Sequence, residues 1–544
     1  MRMHLPRVRK GRASVGPKIA AIAVAAALTV GGCSGAGTSD SSSASGGKPV
    51  KGGTVVAALS GDPQTLDMAQ NSGSLTIRVA MNVFEQLFAL DKDYQPAPML
   101  AESYTKSDDG LNYTIKLRTG VKFQNGDPMT AADVVASLKR WELVSGTGKL
   151  AAKDIASIDA QDDSTVAIKL NKPRYSLIGD LAYNVQAAII VPASVAESAG
   201  TSPIADDKII GTGPYKLKDY KHGQSVVLTR YDDYKSVDGK SSGVAGAKTA
   251  YVDNIDFRFV ADPAQQLNGL KSGQFQWAQA VSADEYDALK TDPSVDSSVS
   301  DTGLVATVLI NHNANSAFKD LKARQGLNML IDKKAMSQAS FGPDIFWTPL
   351  DGAMVFSVDK PMYSQAGEDI YKKHDEKQAK KLLEGAGLSA DKPIRIFTTQ
   401  TYPKYYQMAV VLQAELEKIG LKADVQVYDF PTMISKLTSD PTDWDISFTS
   451  FSGTVTSPSQ VLPLTPTWPG EYKSDKLDAL MDKYSAAKDA KEAKGVVDEI
   501  QQLVWDDLPV ISVAPNKTFV VNSKKLKDVS PFTQGIFWNC YLSA

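Results

Sequence analysis

The sequence predicts a mixed α/β protein built from two bodies with a cleft between them. Three observations predict this class. The chain has 544 residues, several times a typical domain of about 150 residues. Its first half is rich in short β-branched and alternating segments, whereas its second half repeats a strand, helix, strand pattern.

The first half contains segments typical of strands, separated by turns and a few helices. A helix is predicted over Leu75–Phe88, and Thr130 with Asp133 resembles a capping box that opens a helix ending near Glu142. The predicted strands are Thr54–Leu59, Tyr113–Leu117, Val121–Phe123, Val166–Leu170, Ala187–Val191, Tyr215–Leu217, Val226–Arg230 and Ile255–Phe259.

The second half is typical of a parallel α/β arrangement. Asp375 caps a helix whose apolar residues have helical spacing, and a strand follows at Ile394–Thr399. A long amphipathic helix then ends at Gly420, before a strand at Leu421–Tyr428. This spacing predicts a βαβ unit with parallel strands. A helix near Thr432–Leu437 and a strand at Asp445–Thr449 are predicted to follow.

The N-terminus is typical of an export signal. Residues 1–32 carry six Lys and Arg residues and no acid, and Ile19–Val30 is a short run of small and aliphatic residues. A membrane-spanning helix needs about 20 apolar residues, so this run fits the core of a signal peptide instead. We therefore predict that residues 1–32 are removed and that the protein works outside the cytoplasm.

The residues around Cys33 resemble a bacterial lipobox. Val30, Gly31 and Gly32 precede Cys33, and a Gly/Ser-rich linker follows, so we predict that Cys33 is lipidated and that residues 33–50 form a lipidated tether. The alternative is an ordinary signal peptide with an incidental cysteine. Lipidation of Cys33 would leave Cys540 without a disulfide partner, as a packed small hydrophobic residue.

Charge and missing motifs exclude several classes of function. The formal net charge is −3, and loss of the six leader cations makes the mature chain distinctly acidic, which argues against nucleic-acid binding. The mature sequence has three scattered histidines and no HExxH or GxSxG motif. We therefore predict no metal site, no cofactor and no enzymatic activity.

Several ordered segments are similar to the family 5 solute-binding proteins of ABC importers, which include oligopeptide-binding and dipeptide-binding lipoproteins. The strongest match is Pro98–Arg140, with its LAES entry, Asp-Asp-Gly turn and NGDPMTAADV turn into a helix. Further resemblances cover the mature chain in order: Gly211–Tyr215 (GTGPY), Asp320–Lys333, Asp375–Gly387 and Gln413–Val425.

The resemblance implies a bilobed, periplasmic-binding-protein-like fold with two connecting segments. Lobe I would span 51–304 in two subdomains, lobe II 305–513, and 514–544 would return to lobe I. The crossings are expected near Gly303–Ala306 and Ser512–Pro515. The implied role is a monomeric receptor on the outer face of the cell membrane that closes on a solute and delivers it to ABC permease and ATPase subunits. The membrane contact would be the lipid anchor alone.

The resemblance also indicates where a ligand would bind. In peptide-binding relatives the ligand backbone pairs with protein strands, and the corresponding segments here are Asn71, Ser72, Gly73 and Ser74, and Phe451, Ser452, Gly453 and Thr454. Thr454 stands where some relatives have an aspartate for the peptide ammonium, and Phe448 where some have an arginine. These two changes remove charge from the expected pocket.

The ligand class stays open at this point. An oligopeptide is the first choice, and an oligosaccharide or another neutral ligand is the alternative, because Tyr402, Tyr405, Phe451 and Trp468 could stack on sugar faces. Each of these aromatic residues could instead be part of a core. Asn311 could donate a hydrogen bond in the cleft or belong to a simple loop. An exported lipoprotein hydrolase and a sensory receptor are the alternative functions.

Overall fold

A computed structural model describes residues 49–355, 360–452, 457–465, 468–530, 532 and 535–543. The leader, Cys33 and the Gly/Ser linker lie outside these residues. The strands are β1 Thr54–Leu59, β2 Phe88–Leu90, β3 Pro96–Pro98, β4 Ala101–Lys106, β5 Asn112–Leu117, β6 Ile155–Asp162, β7 Thr165–Leu170, β8 Tyr215–Lys221, β9 Ser225–Arg230, β10 Asn254–Phe259, β11 Trp277–Ala278, β12 Val295–Ile310, β13 Ile394–Thr399, β14 Ala423–Tyr428, β15 Ile446–Ser452, β16 Val510–Ser523, β17 Leu526–Lys527 and β18 Tyr541–Leu542.

Helices alternate with these strands throughout the chain. They are α1 Ser74–Ala80, α2 Ala131–Val144, α3 Gly146–Ala152, α4 Leu177–Ala182, α5 Ala193–Ala199, α6 Pro263–Lys271, α7 Tyr286–Leu289, α8 Leu321–Leu330, α9 Lys333–Phe341, α10 Glu368–Tyr371, α11 Glu376–Gly385, α12 Pro403–Lys418, α13 Phe430–Ser439, α14 Asp475–Ser485 and α15 Ala490–Asp507.

One sheet runs through the molecule. Among the described residues its ten strands have the order β14-β13-β15-β12-β16-β11-β1-β10-β9-β8. The long strands β12 and β16 are antiparallel and lie at its centre, with register shifts between Asp301 and Leu304 and between Ala306 and Thr307. A separate four-stranded sheet, β4-β5-β7-β6, packs against α2.

Two large hydrophobic cores lie on either side of the central strands, which confirms the prediction of two bodies. The first core contains side chains from Val55 to Trp277 and again from Val520 to Cys540, and the second contains side chains from Val305 to Val513. We call the parts built around these cores the first body and the second body. Cys540 is fully buried in the first core, and burial raises the pKa of its thiol to about 12.

Most of the helices and strands predicted from local sequence patterns are present in the structure. The capping box of α2 is present, with Thr130 N donating to the Asp133 carboxylate at 2.8 Å. Asp375 caps α11 by accepting from Gln378 N. Strands β13 and β14 are parallel on either side of α12, as the βαβ pattern predicts, and Gly420 takes a left-handed conformation after this helix with φ of 87°.

Three predicted elements are wrong in whole or part. The helix predicted over Leu75–Phe88 ends at Ala80, where the Asn82 amide bonds the last-turn carbonyls. Val121–Phe123 belongs to a tight turn rather than a strand, since Phe123 N donates to Asp127 O. Ala187–Val191 is buried, but its amides reach partners as different as Met68 O and Ser137 Oγ, so no ladder forms.

Candidate cleft site at the strand ends of the second body

The candidate site lies where three parallel strands of the second body end. β13 pairs with β14 and β15 in parallel, so the carboxyl ends Thr399, Tyr428 and Ser452 lie at one edge of the sheet. Ser452 is paired with Leu304, at the point where β12 enters the second body. Ligands of open α/β sheets bind in the crevice outside such carboxyl ends.

Two of the predicted aromatic residues lie at this edge, at the start of α12. Tyr402 is 45% exposed, and its ring contacts the edges of Phe430 and Tyr405 at centroid distances of 4.9 and 5.9 Å. Tyr405 is buried, and its hydroxyl donates to Ser450 Oγ on β15 at 2.9 Å. Tyr402 is therefore an exposed aromatic surface, whereas Tyr405 fixes the helix to the strand.

The segment at the end of β15 is described only in part. Phe451 is 5% exposed within the second core, so most of its surface is used in packing. The hydroxyl of Ser452 bonds that of Tyr183, a buried residue of the first body whose pKa burial raises to about 12. Gly453 and Thr454 lie outside the described residues. Ser452 is thus a point where the two bodies touch.

The loop predicted as the first-body part of the site precedes α1. Asn71 Oδ1 accepts from Gly73 N at 2.6 Å, Ser72 and Ser74 are exposed, and Asn71 is half-buried. The adjacent Gln70 carbonyl accepts from the Gln186 side chain at 3.1 Å, close in sequence to Tyr183. The loop therefore presents exposed polar groups beside the segment that touches Ser452.

Asn311 and Trp468 lie away from this edge. Asn311 is 1% exposed, and its amide donates to the carbonyls of Pro441 and Trp444 at 2.6 and 2.7 Å. The backbone near Trp468 lies beside it, since His312 N donates to Gly470 O. Ile446, at this end, and Ser452 are six residue steps apart along β15, which corresponds to about 20 Å. We leave both residues out of the proposed pocket.

Lys404 is a candidate functional residue that the sequence reasoning missed. It lies in the first turn of α12, half-buried, and its ammonium is 5.0 Å from the Tyr405 ring centroid. Burial lowers the pKa of Lys404 to about 8. Among the described side chains no carboxylate forms an ion pair with it. A partly desolvated cation at a helix N-terminus favours a bound anion.

The available sequence signal for Lys404 is weak. A lysine after Tyr402 and Pro403 is an ordinary residue at the start of a surface helix, and charged side chains there are usually solvated. The three-dimensional arrangement distinguishes it, because α12 begins at the crowded edge where β13 and β15 end. Within the described ranges, no set of three or more acidic, histidine or cysteine side chains is placed to hold a metal ion.

The chain belongs to the bacterial extracellular solute-binding proteins, family 5, whose pattern it matches over residues 95–518. It is 28% identical over 474 residues to the probable peptide ABC transporter periplasmic-binding protein y4tO of Sinorhizobium fredii, covering 85% of this chain and 88% of that protein. It is 27% identical over 492 residues to the glutathione-binding protein GsiB of Escherichia coli, with 87% and 91% covered.

Solved structures share the bilobed fold. The periplasmic binding protein DppA of Helicobacter pylori, in complex with the peptide STSA, superposes with a TM-score of 0.75 at 22% identity, covering 91% of this chain and 99% of that one. The relatives are substrate-binding proteins of ABC importers rather than enzymes, in agreement with the prediction of no enzymatic activity. No helix in the described ranges is long and apolar enough to cross a bilayer.

The class of function follows from the family. The chain is an extracytoplasmic solute-binding receptor for an ABC transporter, and its named relatives bind peptide-like ligands. Proteins of this class bind a solute and deliver it to the permease and ATPase subunits. The predicted membership in family 5 is therefore confirmed.

Proposed function

We propose that this receptor captures short peptides with a free carboxyl terminus and that Lys404 binds their carboxylate. Lys404 carries the proposal, since its half-buried ammonium lacks an ion-pair partner among the described residues. A carboxylate would neutralise this charge, and charge-assisted hydrogen bonds are the strongest available here. The peptide-binding and glutathione-binding relatives support this ligand class.

The charge of Lys404 also makes a neutral ligand a weaker alternative. A sugar could stack on the exposed ring of Tyr402. It would nevertheless leave the Lys404 ammonium enclosed without a counter-charge, which is unfavourable. Thr454 in place of the family aspartate implies that the amino end of the peptide is not read by a charge at that position. We infer that the recognised charge is at the other end.

We propose further that the receptor acts as a lipid-anchored monomer. Cys33 would carry the lipid, residues 33–50 would form the tether, and lobes at 51–304 and 305–513, completed by 514–544, would close on the peptide. Closure needs a ligand that contacts both lobes, because only differential affinity for the closed form shifts the equilibrium. The first-body contact would come from Asn71–Ser74.

Matched peptide libraries would test the ligand class. Tripeptides with free carboxyl termini, and the same peptides as amides, are titrated into the purified receptor by calorimetry, after native mass spectrometry of protein from its own host identifies co-purified solutes. We expect binding of the free acids and at least about tenfold weaker binding of the amides. Equal affinity for the two, or binding of neutral oligosaccharides only, would contradict the proposal.

Membrane fractionation would test the anchor. The receptor with Cys33 should sediment with membranes, and Cys33→Ser should abolish lipid attachment, because the thiol that would carry the lipid is removed. The same distribution and the same mass for both proteins would contradict lipidation at Cys33.

A further inference from the structure

One segment of the first body, residues 172–183, makes several contacts with the second body. Tyr175 N donates to Ser485 O at 2.9 Å, and the Tyr175 ring lies edge-on to Tyr484 at a centroid distance of 5.6 Å. The exposed ammonium of Lys172 lies 3.0 Å from the Asp482 carboxylate. All three second-body partners belong to the C-terminal half of α14.

A buried carboxylate adds a contact beside this surface. Asp180 is 1% exposed on α4, and its Oδ2 accepts from Arg174 Nε and from Ser176 Oγ, both at 2.8 Å. Arg174 is held in turn by Asp154, with Nη1 to Oδ2 at 2.8 Å. The other oxygen of Asp180 accepts from Gln460 Nε2, in the second body, at 3.0 Å.

We propose that Asp180 is a positioning residue that stabilises the closed arrangement of the two bodies through Gln460. The first body holds the carboxylate in place before the second body arrives, so little rotamer freedom is lost when the bond forms. The bond joins a charged acceptor to a neutral amide and is enclosed on both sides, since Gln460 is 6% exposed. This inference rests on the proposed closure but not on the proposed ligand.

The bond differs in kind from the ion pair beside it. Lys172 and Asp482 are 53% and 74% exposed, and pairs of this type contribute little to the stability of an interface. The buried bond from Gln460 to Asp180 should account for more of the preference for closure. Removal of the amide should reduce the closed population about tenfold, the usual effect of one hydrogen bond to a charged group.

A cysteine pair can report closure without any ligand. The hydrogen bond between Tyr175 N and Ser485 O brings these backbones close enough for Tyr175→Cys and Ser485→Cys to form a disulfide only when the bodies meet. The rate of bridge formation under a fixed oxidant is followed on non-reducing gels in the full receptor. The single variant Tyr175→Cys controls for bridges to Cys33 or Cys540.

The test compares three backgrounds of this cysteine pair. Gln460→Ala should form the bridge about tenfold more slowly than the parent pair. Gln502→Ala, which removes a half-buried glutamine bonded to Asp506 on α15, should match the parent. Thermal unfolding checks that Gln460→Ala still folds. Equal rates for Gln460→Ala and the parent, or no bridge in the parent, would overturn the inference.

The outcomes separate this inference from the ligand proposal. Failure of free-acid peptides to bind leaves the cross-linking rates unchanged, because that assay contains no ligand. Conversely, slow cross-linking in Gln460→Ala with no preference for free acids would support the role of Asp180 and reject Lys404 as the carboxylate anchor.

Discussion

The two bodies treat their buried cations differently. Three enclosed cations of the first body face carboxylates: Arg140 with Asp67, Lys248 with Glu85, and Arg174 with Asp154 and Asp180. In the second body Arg324 is buried but bonds the carbonyls of Phe318, Lys319 and Asp507.

Burial lowers the pKa of Arg324, as it does that of Lys404. Arg324 donates to three carbonyl groups, and the nearby carboxylate of Asp507 offsets part of this effect of burial. The Lys404 ammonium lies over the Tyr405 ring. Ion pairs thus hold three buried cations of the first body, although burial lowers the pKa of a fourth, Arg78, to about 9. Lys404 of the second body forms no ion pair among the described residues.

The largest expected effect concerns the first-body framework. Arg140→Met should lower the free energy of unfolding by about 3–5 kcal/mol, because it leaves the fully buried Asp67 carboxylate without its counter-charge. Denaturant unfolding measures this change. Lys290→Met, which removes an exposed ion pair with Asp287, is the matched control and should change stability by less than about 1 kcal/mol.

The second prediction is that removal of a buried charge from the second body weakens ligand binding but does not lower stability. Lys404→Met should weaken the binding of free-acid peptides about thirtyfold, because a charge-assisted bond is lost. The same change should raise the free energy of unfolding of the empty receptor by about 1 kcal/mol, since an unpaired cation is no longer enclosed. Calorimetry and denaturant unfolding check the two parts. A loss of stability would indicate a structural role for Lys404.

The third prediction concerns pH. Since burial lowers the pKa of Lys404 to about 8, the empty receptor loses this positive charge as pH rises through 8, while a bound carboxylate would retain the proton. Affinity for free-acid peptides should therefore be constant below pH 7 and fall about tenfold between pH 7 and 9. Lys404→Met should abolish the fall, and an unchanged pH profile in that variant would reject the assignment.

The smallest effect tests a second enclosed charge of the second body. Burial raises the pKa of Glu415 on α12 to about 7, above its usual value, so the folded state holds a proton that the unfolded chain releases. Stability should therefore decrease as pH rises from about 4.5 to 7 and then level off. Glu415→Gln should stabilise the protein by about 1 kcal/mol at pH 8 and have little effect at pH 4.

The sequence was sufficient for elements with strong local signals. β1, β13 and the α2 capping box needed only alternation, β-branched residues and a Thr-x-x-Asp pattern. The long strands β12 and β16 were missed, because β12 begins with a polar Ser/Asp-rich stretch and β16 contains Pro515. Their pairing comes from a partner some 200 residues away, which no local pattern reveals.

The candidate site shows the same limit. The sequence indicated Tyr402 and Tyr405 only as aromatic residues that could stack on a ligand, and their different exposures depend on the packing of α12 against β15. Asn311 carries suitable chemistry, yet it lies at the opposite end of β15, because the pairing of β12 with β15 sets its position. The Trp468 side chain packs in a small hydrophobic cluster of the second body. Lys404 differs from other surface lysines because it is half-buried and no described carboxylate forms an ion pair with it. The local sequence does not reveal this, because it depends on residues that the fold brings together.

The central pair of strands is an ordered connection between the two bodies. β12 and β16 stay hydrogen-bonded from Val295 with Ser523 to Leu309 with Val510, and the ladder is interrupted only near residues 301–307. Two hydrogen-bonded strands form an ordered, twisted connection, whereas two free linkers would behave as random coils. The connection is already ordered in the structure, so binding of a solute incurs little additional loss of backbone entropy there.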